Sequence, residues 1–512
     1  MDILILDIWK IIFDLLDFKS KMNLISTCKY LRQQLHIVDL YNIDKKYLEK
    51  LNIKILKYKI FNHILWLNAY NNNKITNISF MKYLKILNAG DSPINQKNIM
   101  ELDLIELNIN NNDNIYDVSF MKNLKKLNAG GISALNQNGI KGLNLIELNI
   151  SENDYIYDGS FMKNLKKLNA SGSCALDQKG IKGLDLIELN IRDNNKIYNI
   201  SFMKNLKILY AHGVNCALNQ NGIEGLDLIE LNISNNNKIS NISFMKNLKI
   251  LYAYGEYCGI NQSGIEGLDL IKLDISYNKN IHNISFMKNL KILYAYGINC
   301  KLNQNGIEGL DLIELYVGSN NRIKNVSFMK NLKILSAYSM YCGINQNGIN
   351  GLDLIELDIS GNNNIDNLSF MKNLKKLNIC NTKINQNCIE GLDLIDLNIG
   401  GNKGIKNISF MKNLKTLCAY MCDINQDGIN GLDLVELNVD GNINIKDVSF
   451  MKNLKILSAS GMDCGLDQNG INGLDLIRLD INYNNKIYNV SFMKNLIHLH
   501  TYGNNKISTH YT

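Results

Sequence analysis

The sequence predicts an α/β solenoid, with a parallel β-sheet on its concave face and short helices or turns on its convex face. Three observations predict it. The phrase Ser-Phe-Met-Lys-(Asn/Tyr)-Leu recurs with its serine at Ser79, Ser119, Ser160, Ser201, Ser243, Ser285, Ser327, Ser369, Ser409, Ser449 and Ser491, a period of 40 to 42 residues. Each period divides into two halves of about 20 to 22 residues, the first reading Leu206-x-x-Leu209-x-Ala211 and the second Leu228-x-x-Leu231-x-Ile233-x-x-Asn236. The composition, 46% hydrophobic and 20% charged with Pro93 as the one proline in 512 residues, suits a folded chain and excludes a disordered or collagen-like one. A short internal period outranks length as a guide, because a single coil buries its apolar face only by stacking on its neighbours.

Residues 1–36 carry a pattern of their own. Ile8, Ile11, Ile12, Leu15 and Leu16 recur at helical spacing, and a second amphipathic stretch with Ser20 as its cap carries Leu24, Ile25, Cys28 and Leu31. This segment resembles an F-box, whose pattern is matched by Leu4, Ile8, Ile12, Phe13, Leu16, Cys28, Lys29, Leu31 and Arg32. Ile5 stands where the family has Pro and Asp7 where it has Glu. The resemblance implies that Leu4, Ile8, Ile11, Ile12, Phe13 and Leu16 meet a Skp-type adaptor of a cullin ubiquitin ligase. The residues by themselves also suit a helical cap over the first coil, which solenoids require. Residues 37–63, with Tyr47, Leu48, Leu51, Ile55 and Leu56, read as a transition and degenerate capping coil.

From 64 to 512 the chain reads as about 22 half-repeats. Leu-x-Leu alternation points two side chains inward from a short strand and leaves the residues between them outward. The half-repeats resemble leucine-rich repeats, L-x-x-L-x-L-x-x-(N/C)-x-L, which implies the horseshoe form of the solenoid. Cys258-Gly259-Ile260-Asn261-Gln262-Ser263-Gly264-Ile265 is similar to the cysteine-containing subclass typical of F-box proteins, with Asn-Gln replacing its Thr-Asp. Where the chain turns inward after each strand, buried backbone groups need side-chain partners. Asn112, Asn153, Asn194, Asn236, Asn278, Asn320, Asn362, Asn402, Asn442 and Asn484 fill that place in the second halves. Ser92, Ser133, Cys174, Cys216, Cys258, Cys300, Cys342, Thr382, Cys422 and Cys464 fill it in the first. The combination of F-box and repeat array with AT-biased composition resembles the F-box/leucine-rich-repeat proteins encoded by giant DNA viruses of amoebae.

The outward positions carry the candidate binding residues. The first is acidic at Glu106, Glu147, Glu188, Glu230, Glu314, Glu356, Asp396 and Glu436, with Lys126 and Lys167 placed to neutralise the early ones. From the fourth unit onward Tyr210, Tyr252, Tyr254, Tyr294, Tyr296, Tyr316 and Tyr338 should make an outward aromatic patch flanked by acids. Such a patch suits a protein partner with apolar anchors and basic residues, although lateral tyrosine stacking would also stabilise the sheet.

Other functions find little purchase. Residues 1–63 hold 11 Lys/Arg against 7 Asp/Glu, which leaves +3 of the net +7 to all the rest and no basic stripe for nucleic acid. No apolar run approaches the length of a membrane span, and the first residues lack a signal peptide's cations. Eleven cysteines without a signal favour a reducing, cytoplasmic setting over disulfides. His36, His63, His212, His282, His498, His500 and His510 match no nucleophile triad, and no metal or cofactor motif occurs. The expectation is a non-enzymatic protein-interaction chain without cofactor: either the substrate-recognition subunit of a Skp–cullin–F-box ligase, or a ubiquitin-independent scaffold with a helical cap.

Overall fold

The computed structural model describes residues 9, 10, 12–27 and 34–507. The chain forms two compact units, one reaching Leu248 and including Tyr257–Gly259, the other made of Lys249–Glu256 and the residues from Ile260 on. Among the described residues the first unit holds ten strands, from Asp39–Leu40 to Glu230–Asn232, and the second thirteen, from Ile250–Tyr252 to His498–His500. All but the first are three residues long. Within each unit successive strands pair in parallel and in register, as in Glu106↔Lys126↔Glu147 and Ile292↔Glu314↔Ile334.

The pattern of the half-repeat dictates this arrangement. The central Leu of each strand is buried from Leu40 to Leu479, while its neighbours stay on the outer side. Leu104, Leu107 and Ile109 show the rule: all are interior, with Glu106 and Asn108 half-exposed between them. The methionine of each Ser-Phe-Met-Lys phrase turns inward as well, as Met121, Met203 and Met287 do. Away from the strands, most first halves form a single helical turn, such as Gln220–Ile223, Ser263–Ile265 and Gln346–Ile349. Two glycines shape that turn for different reasons. A Cβ on Gly222 would lie 2.1 Å from the Tyr198 carbonyl of the preceding coil, whereas Gly225 takes a left-handed φ of +71°.

Before the repeats, residues 12–15 are helical and a helix follows at Phe18–Thr27. Its cap is Asp17 and not Ser20: the Asp17 carboxylate accepts from Ser20 N–H at 2.7 Å, which places Ser20 in the first turn. Residues 37–63 supply the first strand, paired to Trp66–Asn68, with Leu51, Leu56 and Phe61 in the core.

Candidate functional site

The geometry of the ladders separates structural residues from those left over for function. Asn236 Nδ2 donates to the carbonyls of Ala211 and Leu218, both at 3.1 Å, and its Oδ1 accepts from Lys238 N–H at 2.9 Å. All ten expected asparagines are buried, and Asn72 and Asn504 extend the series with the same bonds. The first-half residues are buried too. Cys216, Cys258, Cys300 and Cys342 each donate to a carbonyl 25 residues back at 3.5–3.6 Å, while Ser92 and Thr382 donate to one three residues back. Burial pushes the Cys216, Cys300, Cys342 and Cys464 thiols up to about 11, so they remain neutral.

A third ladder escaped the sequence reading. Gln262 Nε2 donates to the Asn283 carbonyl at 2.8 Å while its Oε1 accepts from the N–H groups of His282 and Asn283. Gln96, Gln137, Gln178, Gln304, Gln386, Gln426 and Gln468 do the same, each to residues 20 and 21 positions on. The signal was present: the residue after the Asn or Asp of each first-half turn is always Gln.

On the strand face, Lys126 Nζ lies 3.1 Å from Glu106 and 3.9 Å from Glu147, and Lys167 lies 3.1 Å from Glu188, so the early acids are paired as expected. The third strand residue is usually Asn or Asp, and its Oδ1 accepts the N–H two residues on, as Asn232 does from Ser234 at 3.1 Å. Tyr210, Tyr252, Tyr294 and Tyr316 occupy that position and forgo the bond. Replacing a residue that satisfies its own backbone by one that does not is a departure the fold does not ask for.

In the second unit Tyr294 and Tyr316 join Tyr296 and Tyr338 in a cluster. Tyr294 and Tyr316 stack with centroids 4.3 Å apart and planes 1° from parallel. Tyr296 crosses both at 6.2 Å and meets Tyr338 at 5.6 Å. Gly318 makes room for this: a Cβ there would lie 2.2 Å from the Tyr338 ring. Burial pushes the Tyr296 hydroxyl up to about 12 and raises that of Tyr316 as well, with the Glu314 carboxylate adding to the latter, so both remain donors at neutral pH. Tyr254 stands half-buried on the same face, and Tyr210 belongs to the first unit, where its hydroxyl donates to Glu230 at 3.1 Å.

Two details correct the expected picture. The rings are half-buried against one another, because Gly318 and the small Ser336 let Tyr296 and Tyr338 lie down across neighbouring coils. The acid flank is partly engaged: Glu314 accepts from the Tyr316 hydroxyl at 3.0 Å, and the neighbouring strand presents Lys272, whose ammonium lies 5.3 Å from the Tyr252 ring and 5.6 Å from that of Tyr294.

Of the residues expected to meet an adaptor, Leu4, Ile8 and Ile11 lie outside the described residues, as do Cys28, Lys29, Leu31 and Arg32. Ile12 is 40% exposed and neighbouring Leu15 83%, while Leu16 is half-buried. Phe13 is 2% exposed with the Lys21 ammonium over its ring, so it serves the interior of the segment and not a docking face. His498 and His500 are exposed, His500 facing Asp480 at 3.2 Å. Among the described residues no three His, Cys, Asp or Glu side chains converge on a metal position, and no helix is long and apolar enough to cross a membrane.

Parallel three-residue strands, inward leucines and a buried turn residue that alternates between Asn and Cys, Ser or Thr define a leucine-rich-repeat solenoid. No protein-family model and no curated protein matches the chain. Among solved structures it is similar to the protein in the crystal structure of a TLR13–ssRNA13 complex, with 19% identity and a TM-score of 0.48 over 88% of this chain and 72% of that one.

Proposed function

We propose that this solenoid is a protein-interaction chain serving as the substrate-recognition subunit of a Skp–cullin–F-box ubiquitin ligase in the cytoplasm. The observation that carries the recognition role is the tyrosine cluster of the second unit, where Tyr252, Tyr294 and Tyr316 stand in place of backbone-capping Asn or Asp. Half-exposed tyrosines on the strand face give a rigid amphipathic surface of the kind that anchors protein partners. The adaptor role rests on the F-box resemblance and on the exposure of Ile12 and Leu15. Catalysis then belongs to the partner enzymes, and this chain contributes proximity.

The patch is tested by changing Tyr252, Tyr294 and Tyr316 together to Asn, which restores the residue the repeat carries elsewhere. Target capture should be lost with folding retained. A control set alters Tyr116, Tyr157 and Tyr198, exposed residues of the first unit away from its strands. Equal capture by both sets would remove the patch from the account.

A further inference from the structure

The strand face of the first unit carries a second surface of different chemistry, independent of the tyrosine cluster. It is a groove of about 370 Å³, within the range of small-ligand sites, floored by Asn108, Asn128, Asn149, Asn169 and Asn190 on five consecutive strands. Each Oδ1 accepts the N–H two residues on at 3.0–3.2 Å, which fixes the orientation of the amide. Each Nδ2 is thereby turned outward, and among the described residues none has a protein partner. Parallel strands repeat at about 4.8 Å, so five donors stand in a row about 19 Å long.

The neighbouring row decides what such donors would meet. Glu106, Lys126, Glu147, Lys167 and Glu188 alternate along it, and both lysines are held in ion pairs. An anionic polymer would face three carboxylates with no ammonium to spare, and a cationic one would compete with the lysines already in place. An extended peptide would find no apolar pockets for its side chains, because the row beyond the asparagines is Asn110, Gly130, Ser151, Ser171 and Arg192, the last an exposed guanidinium held by its neighbour Asp193 at 3.4 Å. Amide donors and paired carboxylates together serve groups that both donate and accept, which is the chemistry of hydroxyls. Tyr41 and Tyr210 also line the groove, and an aromatic face offers a flat apolar platform to a sugar ring. We propose that this groove binds a neutral oligosaccharide chain laid across the strands.

The fold itself supplies the variant for the test. Asp274, Asp358 and Asp480 occupy the equivalent strand position in the second unit and make the same Oδ1 bond at 2.9–3.2 Å, so Asp preserves the backbone contact and deletes the outward donor. Ser, found there at Ser336 and Ser458, deletes it without adding charge. The full chain is titrated calorimetrically with cellohexaose, mannohexaose, chitohexaose and maltohexaose, alongside a sulfated heparin hexasaccharide and a neutral Ser/Thr dodecapeptide. Saturable binding of at least one neutral hexasaccharide is expected. It should weaken by about tenfold or more both when Asn128, Asn149 and Asn169 become Asp and when they become Ser. Asn398→Asp with Asn438→Asp, in the second unit, should bind as the parent does. Silence from all four neutral sugars, undiminished binding by both triple variants, or binding of only the sulfated sugar or the peptide would overturn the assignment.

Discussion

At the scale of single residues, Asn236 shows how much one side chain settles. Its amide joins its coil to the preceding one with two hydrogen bonds and caps its own turn with a third, and Asn236→Ala would leave the carbonyls of Ala211 and Leu218 and the N–H of Lys238 without that partner. A loss of about 1–3 kcal/mol is expected, read from denaturant unfolding. The cysteine series makes a complementary claim. Cys258→Ser should be mild because a small hydrogen-bonding atom remains, whereas Cys258→Leu should overpack the turn at a cost of about 1–3 kcal/mol. In the native protein at pH 8, Cys174, Cys216, Cys300, Cys342 and Cys464 should resist thiol reagents, with Cys380 and Cys418 the more accessible. Rapid modification of the first five would contradict a buried ladder. These residues were legible because each recurs at one position of a strict period, whose burial the repeat pattern implies. Asp17 was not, since two candidate caps three residues apart look alike until the backbone shows which one starts the turn.

At the scale of the element, the half-repeat is a turn of chain held on two sides. The Leu-Asp-Leu aspartates are clamped by residues from coils before and after: Asp103 meets Lys85 at 2.9 Å and Asn123 at 2.9 Å, and Asp353 meets Asn373 at 2.9 Å and Lys333 at 3.3 Å. The Lys85 bond, then Asn123, holds Asp103 below the usual carboxylate range; Asn373, then Lys333, does so for Asp353, and Asn413, then Lys375, for Asp393. A folded-state pKa below the unfolded one gives stability that is present above the unfolded value of about 4 and fades as pH falls through the folded value. Melting temperature should therefore be flat near neutrality and decline below about pH 4, and changing Asp103, Asp353 and Asp393 to Asn should shrink that decline. A steeper fall in the variant would reverse the sign of the argument. The glutamine ladder adds a second expectation. Gln262→Ala removes one donor and two acceptor contacts, costing about 1 kcal/mol or more, which Gln262→Glu would restore only in part. Reading Asn-Gln as a mere departure from Thr-Asp hid this role. The glutamine's partners lie 20 and 21 residues away and become neighbours only once coils are stacked.

At the scale of the whole chain, the period of 40 to 42 residues made the solenoid legible before any contact was known, because repeats of that length bury their apolar faces only by stacking. The candidate surface was legible in part. Outward placement of the tyrosines follows from strand alternation, but their mutual packing depends on Gly318 and Ser336 in adjacent coils, which a strand-by-strand reading does not join. Phe13 shows the same limit, since helical spacing marks a face as apolar without saying whether core or partner covers it. The central claim joins the exposed apolar residues of the N-terminal segment to an adaptor, and the repeats to a target. Its most direct measurement is co-purification of the full chain with a Skp-type adaptor, wild type against Ile12→Asp, with the melting of the repeats followed in both. A stoichiometric complex is expected for the wild type, no complex for Ile12→Asp, and unchanged melting. A folded wild-type chain that leaves the adaptor behind, or an Ile12→Asp chain that captures it undiminished, would contradict the claim and leave a ubiquitin-independent scaffold.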